Sequence, residues 1–256
     1  MDEKRLGGEL KINGKFDNIN FVKPTMFDAE MCKQVNFPSM LVKGKASLKG
    51  NIMAGDVSMM LATGEAVGSA KFNTATEGYD VDMNLRTFPM HSVMPLSTLG
   101  NISARLHARG KGFDVMRKST ATEATFAVDH LEYNGTTYRD INGRVALHDG
   151  AFDAKIDSRN QNIDFSVMCN GEMSKDHYVV ALDGDIRDLN LQAMRVMDVA
   201  SRGGAKITAF GDVDVKRMVC DFTAEINDMK WTYDTLHFAT PGISMQVEST
   251  DTTIMA

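Results

Sequence analysis

Residues 79–85 read YDVDMNL, in which Tyr79, Val81, Met83 and Leu85 alternate with Asp80, Asp82 and Asn84. Side chains on a β-strand leave the backbone on opposite faces with a period of two, so such a run has one apolar and one wet face. The pattern recurs. Ala46 and Leu48 are interleaved with Lys45, Ser47 and Lys49, and Ile102, Ala104, Leu106 and Ala108 with Ser103, Arg105, His107 and Arg109. Later runs are Phe152, Ala154 and Ile156; Ile163, Phe165, Val167 and Cys169; Ile207 and Ala209; and Met218, Cys220, Phe222, Ala224 and Ile226. Ala54-Gly55-Asp56, Glu77-Gly78, Asn134-Gly135, Asp149-Gly150 and Gly203-Gly204 read as turns between runs. Spacings of about 8–14 residues imply antiparallel neighbours, roughly 12–16 strands in all. The expected fold class is all-β, a long antiparallel meander with a few short helices. Helical spacing occurs only in FDAEMCKQV at 27–35, around Met90, Val93 and Met94, and around Leu191, Met194 and Met197.

The meander is written twice. ARLHARGKGFD at 104–114 matches AKITAFGDVDV at 205–215, placing Leu106, Ala108 and Gly110 on Ile207, Ala209 and Gly211. GKASL at 44–48 parallels GRVAL at 143–147, NLRTFPMHSVM at 84–94 aligns with DIRDLNLQAMR at 185–195, and DHLEYNGTTY parallels NDMKWTYDTL. The period stays near about 100 residues, as expected of units that stack to propagate one sheet. The division this implies is a strand and helix junction at 1–43, one groove unit at 44–140, a second at 143–240 and a terminal strand at 241–256.

Composition narrows the function. Hydrophobic residues are 43% and charged residues 24% of the 256, a globular profile. A net charge of −6 argues against a nucleic-acid partner. Cys32, Cys169 and Cys220 form no CxxC pair and no disulfide framework. The N-terminus, MDEKRLGGELKING, lacks the apolar run of a signal peptide, and no stretch approaches the roughly 20 apolar residues of a membrane span. There are 19 methionines, residues favoured where an apolar surface must fit variable partners, although a Met-rich core gives the same count.

Chemical motifs are missing. The six histidines show no HxH or HExxH spacing, and His107 falls on a wet face. DGDIRD at 183–188 begins like a calcium loop, but Met194 stands where the twelfth-position glutamate belongs. GKGFD at 110–114 lacks Walker spacing, Asn134-Gly135-Thr136 is explained by a tight turn as well as by glycosylation, and no GxSxG occurs. No enzyme, no metal and no cofactor is expected.

The phrases GKFDNINFVKPTMFDAEM, VKGKASLKGNIMAGDVSM, LHARGKGFD, VDHLEYNGTTYRDINGRVALHDGAFDAKID and LDGDIRDLNLQAM together resemble the AsmA/TamB superfamily, in particular its large Bacteroidetes-type members. The similarity runs from about Gly8 to Trp231 and consists of strand cadence and short phrases. It implies a sheet curled into an open trough (a β-taco or repeating groove) with an apolar interior. It implies a middle segment of an inner-membrane-anchored protein that extends through the periplasm, carries phospholipid or another acyl-chain lipid towards the outer membrane, and contacts outer-membrane assembly proteins. The residues expected on the lipid-holding face are Ala46, Leu48, Met59, Phe72, Val81, Met83, Leu85, Leu106, Phe126, Phe165, Val167, Leu182, Ile207 and Phe222.

Two other readings use the same alternation. An extracellular β-sandwich binding or adhesion module would bury these residues in a closed core, although aromatics are only 7% and sugar-binding faces stack rings. An assembly scaffold would offer open strand edges to client strands.

Overall fold

A computed structural model of the chain describes residues 7–17, 19–250 and 253–255. They are all-β, with sixteen strands and three short α-helices. The chain divides into two compact units. One comprises residues up to Lys111 with Thr125–Asp140, and the other Gly112–Ala124 with residues from Ile141 onward.

The first unit is built from β1 (Gly7–Phe16), β2 (Met40–Lys49), β3 (Ile52–Met60), β4 (Glu65–Asn73), β5 (Gly78–Pro89), β6 (Leu99–Lys111), most of β7 (Ala121–Tyr133) and β8 (Thr136–Tyr138). Each strand bonds its sequence neighbours in the order β1-β2-β3-β4-β5-β6-β7, with β8 on β7. The order never returns to β1, so the unit is an open meander and no barrel. The second unit repeats the plan in β9 (Ile141–His148), β10 (Ala151–Asn160), β11 (Ile163–Met173), β12 (His177–Asn190), β13 (Ser201–Asp214), β14 (Val219–Tyr233), β15 (Leu236–Thr250) and β16 (Thr253–Met255). All its consecutive pairs are antiparallel.

Backbone detail recurs at a spacing of about 100 residues. Met94 N–H donates to Met90 O at 2.7 Å, and Met194 N–H to Asn190 O at 3.1 Å. Thr74 N–H donates to Asn51 O at 2.9 Å, and Met173 N–H to Gly150 O at 2.7 Å. Asn134 N–H reaches Thr98 O at 3.0 Å, and Asp234 N–H reaches Ala200 O at 2.7 Å. A register irregularity at Leu85/Phe88 in β5 has its counterpart at Ile186/Leu189 in β12. A bulge inserts a residue and re-aims the side chains beyond it.

Three local expectations are corrected. Ala54-Gly55-Asp56 lies inside β3, where Gly55 pairs with Ala46 and Ala70. Gly203-Gly204 lies inside β13, where a side chain on Gly203 would stand 2.3 Å from Lys230 O and one on Gly204 2.4 Å from Ile186 O. Neighbouring strands press so close there that only glycine fits, so these glycines serve packing and not turning. The stretch at 191–197 is no helix. Asn190 Oδ1 captures Ala193 N–H at 3.0 Å, and Arg195 turns left-handed (φ 56°), which ends the coil after one turn. The other two candidates form α2 (Ala29–Gln34) and α3 (Met90–Val93); α1 (Lys23–Met26) precedes them. Asp28 caps α2 by accepting from Glu30 N and Met31 N at 3.0 and 2.8 Å.

Few large apolar side chains are buried. Among the described residues Val35, Met40, Leu61, Phe88, Pro89 and Leu147 are. Met40, Leu61 and Phe88 form the core of the first unit, with Phe16, Phe37, Val42, Met59, Leu85, Met90, Val93 and Ile102 packed against them. This core sits where the β5 bulge, with Thr87 left-handed at φ 44°, brings Phe88 opposite Ile102. The segment between β1 and β2 is tied to it: Asn36 N–H donates to Val93 O at 2.7 Å and Asn36 Nδ2 to Ser92 O at 2.9 Å. One end of the apolar face is thereby capped.

Truncation should separate capped from uncapped. Phe88→Ala, at a side chain 7% exposed, is expected to cost about 3–5 kcal/mol in urea unfolding. Met83→Ala, at a side chain 40% exposed, should cost less than about 1 kcal/mol.

Candidate functional site

The register assembles the apolar positions of the first unit into rows running across the strands. Ile12, Gly44, Val57, Gly68, Met83 and Leu106 form one row. Leu10, Ala46, Gly55, Ala70, Val81 and Ala108 form the next. Small residues lower the floor between larger ones. A groove of about 410 Å³ follows these rows, lined by Leu10, Ile12, Val42, Val57, Val81 and Met83 over Gly44, Gly55 and Gly68. Leu10 is 60% exposed, Val57 45% and Ile12 43%, although each belongs to a paired strand. Space explains Gly68 better than backbone geometry does. A side-chain carbon there would stand 3.4 Å from Asp82 O and 4.0 Å from Val57 Cγ1, ordinary contact distances.

Of the residues expected on a lipid-holding face, Ala46, Val81 and Met83 line this groove. Leu48 and Phe72 lie one row further on, opposite Met53. Met59 and Leu85 pack instead against the capped core. Leu106 and Phe126 border a second cavity of about 560 Å³ that shares Gly68 and Met83 with the groove and is otherwise lined largely by polar residues such as Asn84, Arg105 and His107. In the second unit Val167, Gly184, Ile207, Ile226 and Ile243 form one row. Leu182 lies between Cys169 and Ala209, Phe222 between Gly211 and Val247, and Phe165 between Ser158 and Ile186. All five expected residues of that unit share one face. Leu10, Ile12, Val42 and Val57 were not anticipated. Leu10 and Ile12 do alternate with Glu9, Lys11 and Asn13, the one local signal for them.

The methionines divide between the faces. Met53, Met83 and Met245 stand in the apolar rows, exposed, while Met60 and Met168 project to the wet side, opposite Glu65 and Asp183.

The opposite face is a lattice of exposed ion pairs. Arg105 reaches Asp129 at 3.1 Å, His107 Nδ1 lies 2.8 Å from Asp82, Lys45 Nζ 3.4 Å from Asp56, and Arg187 bridges Asp164 and Asp185. DGDIRD is therefore strand, with Asp185 paired to Arg187 and Asp188 to Arg202. Each exposed pair contributes at most about 1 kcal/mol. Asp80, Asp82 and His107 bring ligand atoms within 4.8 Å of one another, the arrangement nearest to a metal site among the described residues. The register places Lys71 and Arg109 on either side of Asp80, cations that oppose a metal ion there.

One carboxylate is held firmly. Glu132 accepts from Asn101 N at 2.9 Å and Asn101 Nδ2 at 3.1 Å, with His130 Nε2 at 3.2 Å. A side chain on Gly100 would stand 2.5 Å from Glu132 Oε2, so the glycine makes this approach feasible. The Asn101 backbone hydrogen bond first, and His130 second, hold the Glu132 carboxyl below its ordinary value of 4.5.

Among the described residues no helix is long and apolar enough to cross a membrane. Comparison with protein-family models, with curated proteins and with solved structures returns no match.

A lowered carboxyl pKa stabilises the fold above the ordinary glutamate range and ceases to do so as pH falls through the lowered value. Glu132→Gln should therefore lower the melting temperature near neutral pH, with the gap to wild type closing in acid. Replacing Arg105 or His107 by other polar residues should change stability by less than about 0.5 kcal/mol in the same assay.

Proposed function

We propose that the chain holds the acyl chains of lipids on the apolar face of its sheet, as a segment of a periplasmic lipid-transfer bridge that supports outer-membrane biogenesis. The resemblance to the AsmA/TamB superfamily supplies the setting, including anchorage in the inner membrane through other parts of the protein. The carrying observation is the groove floored by Gly44, Gly55 and Gly68, whose walls Leu10, Ile12, Val57 and Met83 remain exposed while their backbones are paired. A sandwich core would remove such side chains from water against a second sheet.

Magnitudes suit passage better than storage. Burying about eight methylenes in the groove yields about 6 kcal/mol. Association consumes at least about 4 kcal/mol of that. Eight methylenes alone therefore hold a chain weakly. Each further methylene that covers the neighbouring row of Leu48, Met53 and Phe72 adds about 0.8 kcal/mol with no second association cost, so a whole phospholipid is retained while each single stretch can be exchanged for the next.

Native mass spectrometry of the purified chain tests the reading, with co-purified phospholipid expected. Gly68→Leu fills the floor where space exists, and Met83→Glu sets a charge in the wall at a side chain able to turn to water. Both should melt cooperatively and retain at least about tenfold less lipid, a change of about 1.4 kcal/mol in holding energy. A lipid-free wild type, or folded variants with undiminished lipid, would refute the groove. Outright unfolding of Met83→Glu would favour a closed core.

A further inference from the structure

The wet face of the same strands carries a second surface. β1 and β2 hold five lysines, Lys11, Lys15, Lys43, Lys45 and Lys49, against one carboxylate, Glu9, in a chain of net charge −6. All five are exposed. Strand alternation directs them to one side, away from Leu10, Ile12 and Val42. Lys11 stands directly opposite Lys45, and Lys43 opposite Asn13. Like charges so placed destabilise a ladder. Asp56 relieves Lys45 at 3.4 Å and Asp17 relieves Lys15 at 3.3 Å, both at the exposed surface where pairing contributes little.

Lysines on an edge strand guard against stray pairing, which accounts for Lys11 and Lys15. That reason does not reach Lys43, Lys45 and Lys49, because β2 is bonded on both sides, to β1 and β3. We infer that this lysine patch docks the protein on the surface of an anionic lipid bilayer. Charge complementarity selects the partner. The patch contains no arginine for bidentate recognition of single phosphates and no aromatic ring for stacking bases, so it reads a diffuse negative field and not one group or a nucleic acid. The surface lies across the sheet from the groove and stands or falls apart from the acyl-chain reading.

Co-sedimentation with vesicles tests it. The wild-type chain should sediment with phosphatidylcholine vesicles containing about 30% phosphatidylglycerol, and not with phosphatidylcholine alone. Binding should vanish at about 0.5 M salt, where screening shortens the reach of surface charge. Lys11→Glu/Lys43→Glu/Lys49→Glu should weaken binding at least about tenfold, at about one lipid-attracting charge lost per lysine. The neutral triple variant with glutamine at the same positions should lose it likewise, and guards against misfolding of the first. Lys175→Glu, in the β11–β12 loop, should change nothing. Lipid co-purified in the groove should be unaltered in all of them. Equal sedimentation with both vesicle types, no sedimentation of the wild type, persistence at high salt, or folded triple variants that bind as wild type would each overturn the proposal.

Discussion

Antiparallel pairing of strands that follow one another in sequence, with β8 alone set off the path, is the constraint on which the rest depends. Once the backbone is satisfied within the ladder, side chains have two directions, and each unit acquires two surfaces of opposite character. In the first unit Val81, Met83 and Leu85 must share a side, and Asp80, Asp82 and Asn84 the other. The ladder also decides which residues stand beside which. Gly44, Gly55, Gly68, Ala46 and Ala70 are scattered in sequence, yet the register gathers them into a low floor between Ile12, Val57 and Met83.

The apolar face of the first unit is closed at one end and open along the groove. Closure takes a bulge that turns Phe88 inward, and a capping segment fastened by Asn36 to the carbonyls of Val93 and Ser92. Across the remainder only side chains of the same sheet meet, so burial is partial and the hydrophobic term incomplete. The backbone polar groups are already spent in the ladder, so an apolar occupant, such as the acyl chain proposed above, would complete it without competing for any hydrogen bond.

The wet face has a different economy. Pairs such as Arg105 with Asp129 in the first unit and Lys206 with Asp228 in the second are exposed, individually weak and salt-sensitive. Glu132 is held more firmly than these, because its partners include a backbone N–H as well as side chains. The lysines of β1 and β2 depart from this balance: five cations are gathered there with Glu9 as the one carboxylate of the two strands.

Local sequence determined the strands and their faces, because a period of two is a property of neighbouring residues. Leu106 with Ala108, Val167 with Cys169 and the tight turns at Asn134-Gly135 and Asp149-Gly150 needed nothing beyond it. The reach of that signal ended where a residue answers to a distant strand. Gly55, Gly203 and Gly204 resemble turn glycines in sequence, yet they sit inside strands, two of them because Lys230 and Ile186 carbonyls approach too closely for a side chain. Met59 and Leu85 share the alternation of Met83, but packing around Phe88 draws them into the core, while Leu10, Ile12 and Val57 take the groove and Val42 touches both. Periodicity assigns a residue to a face; only register and the capping segment decide which part of that face is covered, because both are contacts between residues far apart in the chain.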